Sequence, residues 1–364
     1  MEIQVSQPQL LKALHTVTGL ARPNMQLPVL SNVLLDVGGG SMILKATDLN
    51  SGVSQRIDVI GDGSTKMLVS AAQFFEYVQT LLPEPLAISN KAGSLVIEQG
   101  GSRASLPLAE ADEYPDFSPD QTSKGAEMEA TPLLESIKKS MVAVAEDDGR
   151  PILTGLLFKR DKKGGLLNIV GTDGYRLSVC AVKYKGEWER DLLVPAKSLN
   201  SLLKGVETES VEVGFDSKNN QVWLRAGERS IVLRLLEGDF PDFGRIIPVN
   251  HATEVVVDRD AFARAVQQSA VFARQNANVV RIGIEKTLCL SAQGGYIGSS
   301  SVEVDAKISG EGLSAAFNYR YLREYLAVLG DGDVSIAFNG PLAPVKFVAN
   351  SDPTFTHIIM PVKT

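Results

Sequence analysis

The chain has 364 residues, of which 44% are hydrophobic and 22% are charged, and its net charge is −7. These values are typical of a soluble globular protein of two or three domains. No run of about 18 apolar residues occurs, so no transmembrane helix is expected, and the acidic balance taken alone argues against a nucleic-acid partner. The first residues lack the basic and apolar regions of a signal peptide, so we expect a cytoplasmic protein without a membrane partner.

The cysteines and histidines give no sign of a metal centre. Cys180 and Cys289 lie in apolar, strand-like runs, and we expect buried free thiols of a cytosolic protein. His15, His251 and His357 are too far apart in sequence for metal-ligand spacing. We therefore predict no metal and no cofactor.

The first third of the chain predicts a helix, three strands, a second helix and three more strands. The helices are expected at residues 6–22 and 70–82, where apolar residues recur at helical spacing. The predicted strands are Leu27–Leu35, Met42–Thr47, Gly52–Val59, Leu86–Ser89, Ser94–Gln99 and Arg103–Leu108.

The same order recurs about 125 residues later, with helices expected at 131–145 and 195–204. Four landmarks repeat at offsets of 123 to 126 residues: Pro28–Leu34 at Pro151–Leu157, Thr47-Asp48 at Thr172-Asp173, Val69–Ala71 at Val194–Ala196, and Pro115 at Pro241. A fainter third copy has helices at 259–275 and 318–329, and Gln293-Gly294 takes the place of Thr-Asp.

The repeats predict an α+β fold of three similar domains, each an antiparallel sheet with two helices on one face. We expect domain I at residues 1–121, domain II at 127–246 and domain III at 253–364. Ser118–Ala126 and Ile247–Ala252 are the predicted linkers.

The stretch Thr172–Leu177 lies between two strand-like runs and predicts a tight hairpin. Asp173 can bond to its own backbone, and Gly174 can adopt positive φ.

Charge is not evenly spread. The six predicted helices carry eleven Lys and Arg against four Asp and Glu, whereas the remainder carries a net charge of −14. If the helices share one surface, that surface is basic and can meet phosphate backbones without contacting bases.

These repeats, together with Thr172–Leu177, Arg150–Gly155, Phe240–Phe243 and Met360–Val362, resemble the bacterial DNA polymerase III beta subunits, the sliding clamps of replication. The resemblance covers the whole chain, although Tyr175 stands where the family usually has His. It implies the DNA clamp fold, a processivity factor, and a head-to-tail homodimer ring of six modules around duplex DNA. The implied partners are the DNA polymerase III catalytic subunit, the clamp loader and other proteins with a clamp-binding motif.

The resemblance also implies a pocket for partner peptides on domains II and III. Its residues map onto Leu153, Thr172, Gly174, Tyr175, Arg176, Leu177, Pro241, Arg245, Ile246, Tyr321, Pro344, Ile358 and Met360. Methionine and branched aliphatic side chains suit an adaptable apolar pocket, and we expect Arg176 and Arg245 to hold polar groups of a peptide at the rim. From the residues alone, core positions and a solvated arginine are an equally good interpretation.

Two further surfaces are expected. The candidate DNA contacts are Arg22, Asn24, Gln73, Arg150 and Lys197, and the family is basic at some positions where this chain has Asn24 and Gln73. The candidate dimer interface joins domain I to domain III through Arg103, Leu106, Leu108, Val271 and Phe272. Ala104 stands where the family often has an aromatic residue.

Enzymatic interpretations find little support. Asp147-Asp148 is better explained as a loop, and Gly38–Gly40 is not followed by Lys-Ser/Thr at phosphate-binding spacing. No nucleophile, base and orienting group are recognisable, so we predict that the chain is not an enzyme. The competing hypothesis is a β-rich oligomeric scaffold without a nucleic-acid role, which would not need a basic helix surface.

Overall fold

The computed structural model describes residues 1–61, 63–117, 125–147, 149–161, 164–188 and 190–363. Helices and antiparallel strands alternate in the order expected for an α+β protein. In this part of the chain the α-helices are α1 (Gln7–Thr18), α2 (Ala71–Gln79), α3 (Ala130–Met141), α4 (Ala196–Leu203), α5 (Arg259–Ala273) and α6 (Tyr319–Ala327). None of these helices is long and apolar enough to cross a bilayer.

The strands follow the three repeats. Domain I contains β1 (Glu2–Ser6), β2 (Asn32–Gly38), β3 (Ser41–Thr47), β4 (Ser51–Asp58), β5 (Thr65–Ser70), β6 (Pro85–Lys91), β7 (Ser94–Gln99) and β8 (Ser102–Ala109). Domain II contains β9 (Gly125–Glu129), β10 (Gly155–Arg160), β11 (Leu166–Thr172), β12 (Arg176–Lys183), β13 (Leu192–Pro195), β14 (Ser210–Asp216), β15 (Gln221–Ala226) and β16 (Arg229–Arg234). Domain III contains β17 (Thr253–Asp258), β18 (Val279–Ile284), β19 (Leu288–Gln293), β20 (Ser299–Val304), β21 (Ala306–Gly310), β22 (Leu313–Asn318), β23 (Asp333–Phe338), β24 (Val345–Ala349) and β25 (Asp352–Ile359).

Three details differ from the sequence prediction. Each domain opens with a strand before its first helix, so Ala126 belongs to β9 rather than to a linker. The predicted strand Leu27–Leu35 begins instead with a 3₁₀ turn at Pro28–Ser31, and Pro151–Thr154 repeats that turn in domain II. Proline fixes φ near the value of a helical turn, and the first residue of such a turn does not need its N–H.

The helices are also shorter than predicted. The observed helices carry eight Lys and Arg against four Asp and Glu, a net charge of +4. Terminal cations such as Arg22, Lys204 and Arg274 lie beyond the helix ends. The excess of positive charge on the helices is therefore real but smaller than the sequence suggested.

The described chain forms two compact units. Unit 1 contains domain I and the second half of domain II, and its strands make one sheet in the order β1-β6-β7-β8-β5-β2-β3-β4-β16-β15-β14-β9. Unit 2 contains the first half of domain II and all of domain III, with sheets β13-β10-β11-β12-β25-β24-β23-β17-β21 and β20-β19-β18-β22.

Neighbouring domains therefore share sheets. In unit 1, β4 of domain I pairs antiparallel with β16 of domain II, a contact that we call junction I–II. In unit 2, β12 of domain II pairs antiparallel with β25 of domain III, which we call junction II–III. Both junctions join the third long strand of one domain to the last strand of the next.

The helices bury one apolar face against these sheets. In α1, Leu10, Leu14 and Val17 are fully buried at spacings of four and three residues, and the helix packs on α2, β3 and β4. In domain III, α5 packs on α6, β19 and β20. The core there includes Phe317 and Phe347, whose rings meet edge to face.

Candidate functional site

The turn between β11 and β12 forms one side of the site. The Thr172 hydroxyl accepts a hydrogen bond from the Gly174 N–H (3.1 Å) and donates one to the Arg176 carbonyl oxygen (2.6 Å). The Asp173 carboxylate accepts from the backbone N–H groups of Tyr175 (2.8 Å) and Arg176 (3.0 Å). Gly174 has φ of 91°, a conformation that favours glycine. The predicted hairpin is confirmed, and its own hydrogen bonds hold its shape.

The C-terminal strand lies directly against this turn. Across junction II–III, Leu177 pairs with Ile358, and both side chains are buried. Beyond the strand, the Met360 N–H donates to the Tyr175 carbonyl oxygen at 2.9 Å. The turn and the tail, 185 positions apart in sequence, are thus hydrogen-bonded neighbours.

An apolar cluster lies beside the turn and the tail. Its buried members are Leu157, Val170, Leu177, Leu193 and Ile358. The half-buried side chains packed against it are Ile152, Val179, Leu236, Phe240, Phe243, Ile246 and Ile247. Aliphatic and aromatic side chains from five separate stretches therefore meet here, as a pocket for an apolar ligand requires.

Arg176 does not lie at the rim, contrary to the sequence prediction. Its side chain is only 8% exposed, and its Nε lies 3.0 Å from the Asp173 carboxylate. A second ion pair joins its guanidinium to Glu324 of α6, and the Tyr321 ring lies 4.4 Å away in a cation–π contact. With two carboxylates and a ring already around it, Arg176 organises the wall of the site and is not available for a peptide's polar groups. Burial, followed by the Asp173 charge, raises the pKa of Tyr321.

The predicted pocket residues otherwise range from buried to exposed. Arg245 is 86% exposed and pairs with Asp242 at 2.9 Å, which leaves its guanidinium accessible. Tyr175 is 60% exposed. Gly174 and Pro241 are also exposed, whereas Ile246, Tyr321, Pro344 and Met360 are half-buried and Leu153 and Thr172 are buried.

Arg150 is another neighbour of the turn. Its Nη2 donates a hydrogen bond to the Asp173 carbonyl oxygen at 2.8 Å. Leu153 follows it in the 3₁₀ turn Pro151–Thr154, and its N–H donates to the Arg150 carbonyl oxygen. Arg150 was predicted as a DNA contact, and the structure places it beside the candidate pocket as well.

Junction II–III contains a buried polar pair that no sequence pattern indicated. Ser178 Oγ lies 2.8 Å from His357 Nδ1, and both side chains are completely buried. The His357 ring stacks on Tyr325 at 4.8 Å. Burial, with a further contribution from the Arg176 charge, lowers the pKa of His357 to about 3. A histidine within the apolar run before Met360 was the available signal, but nothing local indicated Ser178 as its partner.

Junction II–III also contains an ion pair and one cysteine. Lys139 Nζ lies 2.7 Å from Asp352 Oδ2. Although burial opposes it, this contact raises the pKa of Lys139, and the pKa of Asp352 is lowered. Cys180 is buried as expected, and burial raises the pKa of its thiol to about 12. Cys289 is only half-buried, because its Sγ faces the Ser301 hydroxyl on the edge strand β20.

Family models match nearly the whole chain. Residues 1–118 match the N-terminal domain of the DNA polymerase III beta subunit, residues 127–242 match its central domain and residues 244–363 match its C-terminal domain. The chain belongs to the DNA polymerase III beta subunit family. As a member of this family it is a processivity factor of DNA replication and not an enzyme.

Individual relatives agree with this assignment over their full length. The beta sliding clamp of Caulobacter vibrioides is 28% identical, and the alignment covers 100% of both chains. A crystal structure of the Caulobacter crescentus beta sliding clamp, with polyethylene glycol bound to a proposed beta-motif tethering region, has a TM-score of 0.91 at 26% identity and covers 100% of this chain and 99% of that one. The Thermotoga maritima DNA polymerase III beta subunit shares the fold, with a TM-score of 0.90 at 24% identity and the same coverage.

The candidate DNA contacts of this beta subunit are all exposed. Arg22 donates from Nε to the Gly19 carbonyl oxygen, and the Asn24 side chain accepts from two backbone N–H groups of its own loop. Gln73 lies in the first turn of α2. Lys197 donates to the Glu146 carbonyl oxygen at 3.0 Å, so a local acceptor also accounts for a cation at the start of α4.

The candidate dimer residues lie on the edge strand β8 of domain I and on helix α5 of domain III, which packs on the edge strand β20. β8 pairs with β7 along its length but with β5 only at Leu108 and Ala109, so the outer edge of residues 102–107 has no strand partner among the described residues. Arg103 is exposed, and Leu106 and Leu108 are half-buried. In domain III, Val271 is 57% exposed and Phe272 is half-buried. Within the described sheets, the neighbouring β20 pairs only with β19.

Proposed function

We propose that two copies of this chain close head to tail into a ring of six modules that encircles duplex DNA without reading its sequence. The ring tethers the DNA polymerase III catalytic subunit, the clamp loader and other proteins with a clamp-binding motif. The observation that carries this proposal is the convergence of the Thr172–Leu177 turn, the apolar cluster and the C-terminal tail at junction II–III.

The pocket of the proposed site receives a short extended peptide. The half-buried Ile246 and Met360 offer apolar surface to one or two apolar side chains of the peptide. The buried Leu177 and Ile358 support this surface from within. Arg245 at the rim is the cation that meets a peptide carboxylate or carbonyl, because Arg176 is already neutralised by two carboxylates. Tyr321 and Pro344 flank this surface as half-buried residues.

The proposed dimer follows the rule that builds both internal junctions. The third long strand of a domain pairs with the last strand of the next, as in β4 with β16 and β12 with β25. In domain III the corresponding strand is β20, and the last strand of domain I is β8. Pairing of β20 with the partner's β8 continues the rule and brings Val271 and Phe272 near Leu106 and Leu108.

Contact with DNA is weak in this proposal. A net charge of +4 on the helices supports loose contact with phosphates through residues such as Arg22 and Lys197, but not tight binding by an acidic protein. The ring therefore holds DNA by topology. We infer that it does so in the cytoplasm, with domain boundaries close to residues 121–127 and 246–253.

DNA retention tests the ring. After loading by a clamp loader onto a nicked circular plasmid, the protein should stay bound, and it should be lost within minutes when the plasmid is linearised. Gel filtration of the protein–DNA complex before and after cutting measures this. Equal retention on circular and linear DNA contradicts topological binding.

Peptide titration tests the pocket. Deleting Met360–Thr364 should weaken binding of a short fluorescent clamp-binding peptide by at least ~tenfold, which corresponds to about 1.4 kcal/mol. The point variant Met360→Ala should weaken binding in the same direction by less. Arg234→Ala is the matched control, because the Arg234 N–H donates to Asn50 at junction I–II as Met360 does to Tyr175. Unchanged affinity in a folded, dimeric truncation places the client site elsewhere.

A further inference from the structure

Junction I–II contains a second copy of the turn that borders the pocket. The Thr47 hydroxyl accepts from the Leu49 N–H (3.0 Å) and donates to the Ser51 carbonyl oxygen (2.8 Å). The Asp48 carboxylate accepts from the backbone N–H groups of Asn50 (3.0 Å) and Ser51 (2.6 Å). These four hydrogen bonds repeat those of Thr172–Arg176 one for one, so the frame of the pocket exists twice in the chain.

The apolar cluster is also duplicated. In domain I it consists of buried Leu34, Leu68 and Tyr114, with half-buried Val29, Ala111 and Phe117 packed against it. Leu34 and Leu68 precede Leu157 and Leu193 of the apolar cluster by 123 and 125 positions, and Tyr114 precedes Phe240 by 126. The walls beside the two turns are therefore made from corresponding positions.

One difference between the two copies lies on the strand that follows the turn. Leu177, on the pocket wall of domain II, corresponds to Gly52 in domain I. A Cβ atom at Gly52 would lie 2.1 Å from Cδ2 of Phe117, so the Phe117 ring rests directly on the Gly52 backbone. In domain II the corresponding Phe243 only flanks the cluster, with its ring 6.0 Å from Lys159 Nζ. Glycine at position 52 thus makes room for an aromatic ring beside the turn.

The segment that carries Phe117 is tied to the same turn. The Tyr114 hydroxyl accepts a hydrogen bond from the Thr47 N–H at 3.1 Å and donates to the Asn32 carbonyl oxygen at 3.4 Å. Burial raises the pKa of Tyr114 to about 12, so the phenol remains a donor at physiological pH. In domain II the corresponding residue is Phe240, which has no hydroxyl and cannot make these two hydrogen bonds. The Tyr114–Phe117 segment is therefore held against the domain I frame at both of its ends.

We propose that domain I contains a second peptide groove of the same kind as the client pocket, and that the chain's own Phe117 fills it. The ligand class is a short peptide with an aromatic or large aliphatic side chain, for which the Phe117 ring is the built-in substitute. This inference rests on the proposed client pocket for its ligand class, but its frame, its wall and its occupant are features of domain I alone. It explains why a duplicated frame would leave only one open client site per chain.

Removing the occupant tests the groove. The probe is a fluorescein-labelled pentapeptide ending in Leu-Phe, titrated against the full-length dimer, with the number of bound peptides per chain as the readout. Phe117→Ala should bind one more peptide per chain than the wild type. Gly52→Ala should do the same without deleting the ring, because its Cβ displaces Phe117. Hydrogen exchange should show new peptide-dependent protection at residues 49–53 in both variants and none there in the wild type.

The truncation lacking Met360–Thr364 separates this inference from the proposed function. A gain of one site in Phe117→Ala, with or without the truncation, supports the domain I groove whatever the truncation does to the wild-type site. No gain in either folded variant, while the truncation abolishes wild-type binding, overturns the groove and leaves the client pocket intact. A gain in stoichiometry without protection at residues 49–53 also overturns it, because the added peptide then binds elsewhere.

Discussion

Junctions I–II and II–III are two versions of one construction. Each is an antiparallel pair of strands, and its first strand follows a Thr-Asp turn. In each, a backbone N–H just beyond the paired residues of the partner strand donates to a carbonyl oxygen of the turn: Met360 to Tyr175, and Arg234 to Asn50. They differ in where the polar side chains are buried. At junction II–III Ser178 faces His357, whereas the same register at junction I–II holds Val53 and Ile231.

Two positions further along the strands, junction I–II has a buried polar side chain and junction II–III does not. Junction I–II pairs Gln55 with Arg229, and junction II–III pairs Cys180 with Phe355. The Arg229 guanidinium is buried and donates to Gln55, to the Thr16 hydroxyl of α1 and to the Leu202 and Lys204 carbonyl oxygens at the end of α4. The same backbone frame therefore tolerates a buried polar group at either level. The position of the polar group decides what it joins. Arg229 hydrogen-bonds to residues of α1 and to the end of α4, whereas the Ser178–His357 pair joins only two strands.

The largest expected effect is at Arg229. We expect Arg229→Met to lower the free energy of unfolding of unit 1 by about 3 kcal/mol, because several buried acceptors lose their donor at once. Urea unfolding followed by tryptophan fluorescence measures this specifically, since Trp188 and Trp223 both belong to unit 1. Burial already lowers the pKa of Arg229, so the guanidinium itself gains little from its position.

The comparison makes a control available. Phe355→Leu alters the corresponding position of junction II–III and should leave the tryptophan transition unchanged. A shift of that transition in Phe355→Leu as large as in Arg229→Met would mean that the two junctions unfold together.

The next effect is a pH dependence confined to junction II–III. His357 has a folded pKa of about 3 against about 6.5 unfolded, so the unfolded state takes up the proton first as pH falls. The opening free energy of β12 should therefore fall by about 2 kcal/mol between pH 8 and pH 5. Hydrogen exchange at the amides of β12, corrected for intrinsic rates, measures this change.

Replacing Ser178 and His357 with the corresponding residues of junction I–II, Val53 and Ile231, should remove the pH dependence of the opening free energy. In the double variant Ser178→Val and His357→Ile, the opening free energy of β12 should be nearly constant from pH 8 to pH 5. A slope that persists in the double variant would show that a group other than His357 causes it.

The smallest effects concern the ion pairs of the two units. Lys139→Met should destabilise unit 2 by about 1.5 kcal/mol, because Lys139 and Asp352 are largely buried and hydrogen-bonded. Lys12→Met should leave the tryptophan transition unchanged, because Lys12 and Glu207 are 60% and 78% exposed. Far-UV circular dichroism in urea follows the secondary structure of both units, so the loss in unit 2 is read from the part of the transition that the tryptophan signal does not share. Equal losses in the two variants would contradict the role of burial.

Much of the fold was predictable because it repeats. The Thr172–Leu177 hairpin and its copy at Thr47 were recognisable from turn residues between alternating runs, and the observed hydrogen bonds confirm the hairpin. The short strand before each first helix was not recognised, because five residues of alternating pattern carry little signal. Helix ends were overextended where terminal cations continued an apparently helical stretch.

The meeting of the turn and the C-terminal tail was predictable, but the arrangement of their side chains was not. The resemblance placed the pocket at Thr172–Leu177 and the tail, and the structure brings these stretches together. It also buries Arg176, which the sequence suggested at the rim. The reason is Glu324, an acidic partner 148 residues away whose proximity no local pattern reveals. The Ser178–His357 pair, 179 positions apart, escaped notice for the same reason.

Among the described strands, the outer edge of β20 has no partner, and this gives the assembly two kinds of closure. Junctions I–II and II–III form within one chain, where a linker keeps the strands at an effective concentration in the millimolar range. The third junction of each chain needs a second molecule and therefore depends on the concentration of free protein. Dilution should act on that junction alone and leave the other two closed. Such a ring opens at the contact between its two molecules, because only that contact depends on protein concentration. This holds even if all three junctions have similar strand pairing.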